Sequence, residues 1–73
     1  MIDFNMKIMG QRIKELRTAL EMSQKDLAEK ISVKQNTVAQ YEKGTAKTSL
    51  EVLVNLTQIL ETTADFLLGL TEY

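Results

Sequence analysis

The sequence predicts an all-α fold: a single compact domain of five short helices over residues 1–73, with its core at about 7–69. Three observations lead there. Apolar residues recur at spacings of three and four in successive segments, the period of one helix face. Ser23 with Asp26, and Thr48 with Glu51, have the capping-box form, in which a hydroxyl accepts an orphan backbone N–H and a carboxylate reaches back. No segment shows the sustained alternation, or the Asn-Gly or Asp-Gly turn, of a β-hairpin.

Taken in order, the first helix runs roughly from Lys7 to Leu20, where Met9, Ile13, Leu16 and Leu20 share one face among good helix formers. The second starts at the Ser23 box and runs to Ile31, burying Leu27, Ala28 and Ile31. Ile31-Ser32-Val33-Lys34 is too short and too polar to be anything but a turn. The third helix, about Gln35 to Glu42, turns Val38 and Tyr41 inward and stops near Gly44, a residue free to adopt the left-handed conformation. The fourth follows Thr48 and carries a broad apolar face of Leu50, Leu53, Val54, Leu56, Ile59 and Leu60. The fifth, Ala64 to Leu68, opens on Thr63 with Asp65 in its first turn.

Composition narrows the function. With no His and no Cys, the chain lacks the ligands of an ordinary zinc site, an imidazole for a triad and a thiol nucleophile. No enzyme, metal, cofactor or small-molecule substrate is therefore expected. Without disulfides, a chain of 73 residues must rely on regular helix packing, oligomerisation, or both. No apolar run approaches a membrane span, and Met1-Ile2-Asp3-Phe4-Asn5 lacks the basic and apolar parts of a signal peptide, so a soluble, cytoplasmic chain is expected.

The net charge of −1 conceals a segregation. Residues 1–22 carry +1, residues 23–47 carry +2, and residues 48–73 carry −4 with no basic side chain. A polyanion would repel the last third, so a nucleic-acid surface belongs to the first two thirds.

The second and third helices, separated by a turn of about three residues, have the spacing of a helix-turn-helix. The outward face of the third is built of amides and hydroxyls, and Gln35, Asn36 and Gln40 lie together on it. A carboxamide offers a donor and an acceptor side by side, matching adenine N6 and N7, and a good bidentate pair discriminates by about 1–3 kcal/mol. Gln24 sits one residue inside the cap of the second helix, where free N–H groups and the positive end of the dipole can hold a phosphate. Arg12, Lys43, Thr45 and Lys47 are further phosphate-contact candidates.

Five fragments carry a resemblance: Gly10-Gln-Arg-Ile-Lys-Glu-Leu-Arg17, Met22-Ser-Gln-Lys-Asp-Leu-Ala28, Asn36-Thr-Val38, Tyr41-Glu-Lys-Gly44 and Asp65-Phe-Leu-Leu-Gly69. Over about residues 9–69 the chain resembles the phage-repressor and Cro type of helix-turn-helix domain, the XRE-like family. The resemblance implies a repressor-type transcriptional regulator that binds double-stranded DNA as a homodimer on an inverted-repeat operator. It implies base reading by Gln35, Asn36 and Gln40, with Lys34 and Thr37 beside them, and contact of Ser23 and Gln24 with the DNA backbone. It also implies a structural salt bridge between Arg17 and Glu42.

The chain departs from the family pattern at several positions. Ser32 stands where Gly is usual, Glu21 and Glu61 replace Gly stops, Lys34 occupies a Ser or Thr cap position, and Thr48 replaces a Pro. Ser32 with Gln35 has the form of an S-x-x-Q box that would start the third helix up to two residues early.

Phe66, Leu67, Leu68 and Leu70 are many large apolar groups for one short terminal helix. A two-fold dimer through the fourth and fifth helices, with Phe66, Leu67 and Leu70 in its interface, would set the reading helices about 34 Å apart, one turn of DNA. The alternative is that these leucines pack on Met6, Met9 and Leu56, or on a further domain. Two other functions suit the same fold: the antitoxin of a toxin pair, and a protein-interaction module that binds no DNA.

Overall fold

The computed structural model describes residues 4–73; the expectation that Met1-Ile2-Asp3 opens no signal peptide lies outside them. Five helices follow one another: α1 (Met6–Ala19), α2 (Gln24–Lys30), α3 (Gln35–Lys43), α4 (Leu50–Ile59) and α5 (Ala64–Leu67). Among the described residues there is no strand.

The helix starts follow cap chemistry. Asn5 begins α1 one residue ahead of the expected start, its Oδ1 accepting from the N–H of Lys7 at 2.9 Å and of Ile8 at 3.1 Å. The Ser23 box forms as expected: Asp26 N–H donates to Ser23 Oγ at 2.9 Å and Ser23 N–H to Asp26 Oδ2 at 3.0 Å. At α4 the expected Thr48 cap is replaced by Ser49, whose Oγ accepts from Val52 N–H at 3.1 Å. With Ser49 as cap, Glu51 falls one position short of the reach-back site, so the pair Thr48–Glu51 makes no box. Thr63 caps α5 through Phe66 N–H at 3.1 Å.

The third helix starts at Gln35, as expected, and not at the earlier position the Ser32–Gln35 pair offers. Ser32 is left-handed, at φ 59, and terminates α2; Lys34 is the residue before α3, and its side chain caps nothing. The same stop recurs along the chain. Glu21 (φ 59), Ser32, Gly44 (φ 76), Glu61 (φ 55) and Gly69 (φ 79) each stand in the left-handed region just past a helix. In each case two backbone bonds close the end, as where Val33 N–H reaches Ala28 O at 2.9 Å. The positions read as substituted glycine stops are thus real stops, held in that conformation by ordinary side-chain-bearing residues.

All five helices meet in one core. Met9 and Ile13 come from α1, Leu27 and Ala28 from α2 with Ile31 just after it, and Val38 and Tyr41 from α3. Leu56 of α4, Leu60 after it and Leu67 of α5 complete the cluster. Both α1 and α2 pack on α3. Gly10 allows α1 to touch the α3 backbone: a Cβ there would stand 2.6 Å from Glu42 O and closer still to Tyr41 O.

The fifth helix corrects part of the interface expectation. Leu67 is wholly buried in its own chain, so it belongs to the core and offers nothing to a partner. Leu68 packs against the same core.

Candidate nucleic-acid interface

Because Val38 and Tyr41 anchor α3 inward, its other side is turned outward. Gln35, Asn36 and Gln40 are all exposed, with Lys34 beside them; Thr37 is half-buried at the edge of this face. Among the described residues, the three amide side chains make no hydrogen bond, so each keeps its donor and acceptor free.

Behind this face the helix is bolted down. Glu42, near the end of α3, receives Arg17 from α1 in a fork: Nε donates to Oε2 at 2.6 Å and Nη2 to Oε1 at 3.0 Å. Arg17 Nη1 also donates to the Met22 carbonyl at 2.8 Å, and Gln24 Nε2 donates to Glu42 Oε1 at 3.1 Å. The pair is buried, with 9% and 4% of the two side chains exposed. Hydrogen bonding to Glu42 raises the Arg17 pKa above its ordinary value, against the opposing effect of burial. The expected Arg17–Glu42 bridge is therefore present, and Gln24 ties α2 into it.

The phosphate candidates divide. Ser23 is exposed; its hydroxyl oxygen accepts the Asp26 N–H in the α2 cap, and the same hydroxyl helps to lower the Asp26 pKa. Lys43, Thr45 and Lys47 are exposed at and beyond the end of α3, and Thr45 Oγ1 bonds Gln40 O at 3.3 Å. Arg12 does not join them. Its guanidinium is engaged within the chain, on the carbonyls of Phe66 and Thr71. Charge alone cannot distinguish it from a solvated arginine, because its partners lie 54 and 59 residues away.

Two residues of the broad apolar face expected on α4 are exposed. Leu50 is 81% exposed and Val54 55%. Their spacing of four, offset from the buried Leu56 and Leu60, is a second apolar stripe on the same helix.

A five-helix domain whose outward helix carries free carboxamides and is clamped from behind defines the helix-turn-helix class. The helix-turn-helix family matches residues 13–67, and the chain belongs to it. It is 36% identical over 62 residues to YobD of Bacillus subtilis (strain 168), an uncharacterized HTH-type transcriptional regulator, covering 85% of this chain and 55% of that protein. The P22 c2 repressor, solved in complex with synthetic operator 9T, superposes with a TM-score of 0.81 at 30% identity, covering 84% of this chain and 92% of that one. The restriction-modification controller protein C.AhdI from Aeromonas hydrophila gives 0.77 at 32% identity, covering 85% and 94%. The chain spans about half the length of curated relatives such as YobD. Among the described residues no helix is long and apolar enough to cross a membrane.

Proposed function

We propose that this chain binds double-stranded DNA in a sequence-dependent manner and regulates transcription as a repressor-type protein of the cytoplasm, with α3 in the major groove. The observation that carries this reading is the face formed by Gln35, Asn36 and Gln40: three exposed carboxamides with free donors and acceptors, on a helix fixed by the Glu42–Arg17–Gln24 network. Lys34 and Thr37 flank the bases, while Ser23, Gln24, Lys43, Thr45 and Lys47 face the phosphates. The P22 c2 repressor, similar to this chain, was solved on a synthetic operator, which supports the reading.

The protein acts as a homodimer on an inverted repeat. Support for a partner surface comes from the exposed apolar side chains Leu50 and Val54 on α4 and Leu70 after α5, with Phe66 half-buried. Leu67 is excluded from that surface by its burial. Selection of duplexes from a randomised pool tests both parts. An enriched inverted repeat with half-site centres about one helical turn apart supports the dimer. A single unrepeated motif contradicts the dimer alone, and no enrichment by a folded protein contradicts DNA reading.

A further inference from the structure

Arg12 reaches across α1 to the chain's final residues. Its guanidinium lies 4.3 Å over the Phe66 ring, and Nη1 donates to Phe66 O at 2.5 Å and Thr71 O at 2.6 Å. Phe66 O also receives Gly69 N–H at 3.1 Å, and Leu70 N–H closes on Asp65 O at 2.9 Å. Gly69, at φ 79, thus turns the chain back, and two residues later Arg12 catches it. The turn sits directly on α1, because a Cβ at Gly69 would stand 3.2 Å from Ile8 Cγ2.

We infer that Arg12 is a latch, a positioning residue that holds the return segment Gly69–Thr71 against α1, and that it is not a phosphate contact. A planar guanidinium can stack on a ring with its face while its edge donates to two carbonyls; an ammonium cannot reproduce that combination. The same helix carries Arg17, which holds Glu42, so α1 is fixed to the C-terminal segment by one arginine and to the reading helix by the other. The two attachments use different residues and different partners. Releasing the latch therefore frees the last turn and leaves α3 clamped.

Amide hydrogen exchange on the full chain tests this, comparing wild type with Arg12→Ala and Arg12→Lys. Both variants should speed exchange at Gly69 and Leu70 on the order of tenfold, while Val38 and Tyr41 in α3 keep wild-type rates. Unchanged rates at Gly69 and Leu70 would overturn the latch, and so would an equal acceleration in α3, which would make Arg12 a global core residue. A second readout rests on the DNA-binding reading above. For a bound duplex, the slope of log affinity against log salt should be the same for Arg12→Ala as for wild type, whereas loss of a phosphate contact would reduce it by about 0.9. If no duplex is bound, the exchange result still decides the latch, so the two readings fail separately.

Discussion

Arg17 and Glu42 stand 25 residues apart in sequence and meet as a two-point fork, 2.6 Å and 3.0 Å, that joins the end of α1 to the end of α3. The bridge is buried, so removing one partner leaves an uncompensated charge. Arg17→Met or Glu42→Gln should cost about 3–5 kcal/mol in urea unfolding. The double change Arg17→Met/Glu42→Leu should cost less than the sum of the single changes. Additive losses would show that the two side chains are not coupled.

Gly10 gives a prediction whose sign opposes helix propensity. Propensity alone would make Gly10→Ala stabilising by about 1 kcal/mol. The added Cβ, however, would collide with backbone oxygens of Tyr41 and Glu42, which cannot swing aside. Gly10→Ala should therefore destabilise by about 1–3 kcal/mol, measured as a fall in thermal midpoint.

The left-handed stops at Glu21, Ser32 and Glu61 predict the reverse. A side chain in that conformation costs about 1–2 kcal/mol, partly offset by glycine's larger loss of freedom on folding. Ser32→Gly and Glu61→Gly should each raise stability by about 0.5–1 kcal/mol. A lowered thermal midpoint for both would contradict the assignment of these stops.

Lys34 separates stability from binding. It precedes α3 without capping it, so Lys34→Ser should supply the missing cap and add about 1 kcal/mol. The same change removes a cation from the edge proposed to face DNA and should weaken duplex binding. Stability and affinity moving together would contradict the placement of Lys34.

Asp26 sets an acid limb. The Ser23 backbone N–H, and then the Ser23 hydroxyl, hold its carboxyl below the usual aspartate range. Its folded pKa is thus depressed, so its contribution is present above the unfolded value and is lost as pH falls through the folded one. Asp26→Asn should be slightly less stable than wild type at neutral pH, and the difference should vanish in acid. A difference that persists at pH 2 would contradict the cap.

Much of this fold is legible because local chemistry and tertiary packing agree. The Ser23 box, the inward pair Val38 and Tyr41, and the stop at Gly44 all follow from spacing and residue type. What the sequence hides is long-range or competitive. Asn5 precedes the apolar period it caps, and Ser49 competes with an adjacent Thr48 that has the better box partner. The burial of Leu67 and the engagement of Arg12 depend on how the C-terminal segment returns to α1, which no periodicity encodes. On the outward face of α3, exposure of Gln35, Asn36 and Gln40 follows directly from which residues of the helix are apolar. Exposure of Leu50 and Val54 does not, because α4 is apolar on two stripes and only packing decides which is covered.

The most direct test compares wild type with a folded Gln35→Ala/Asn36→Ala/Gln40→Ala variant on the selected duplex and on an unrelated duplex of equal length, over a range of salt. The carboxamide reading predicts that the variant loses the preference for the selected duplex while its weak, salt-dependent binding to both persists. A variant that still prefers the selected duplex to the wild-type extent would show that α3 does not read the bases.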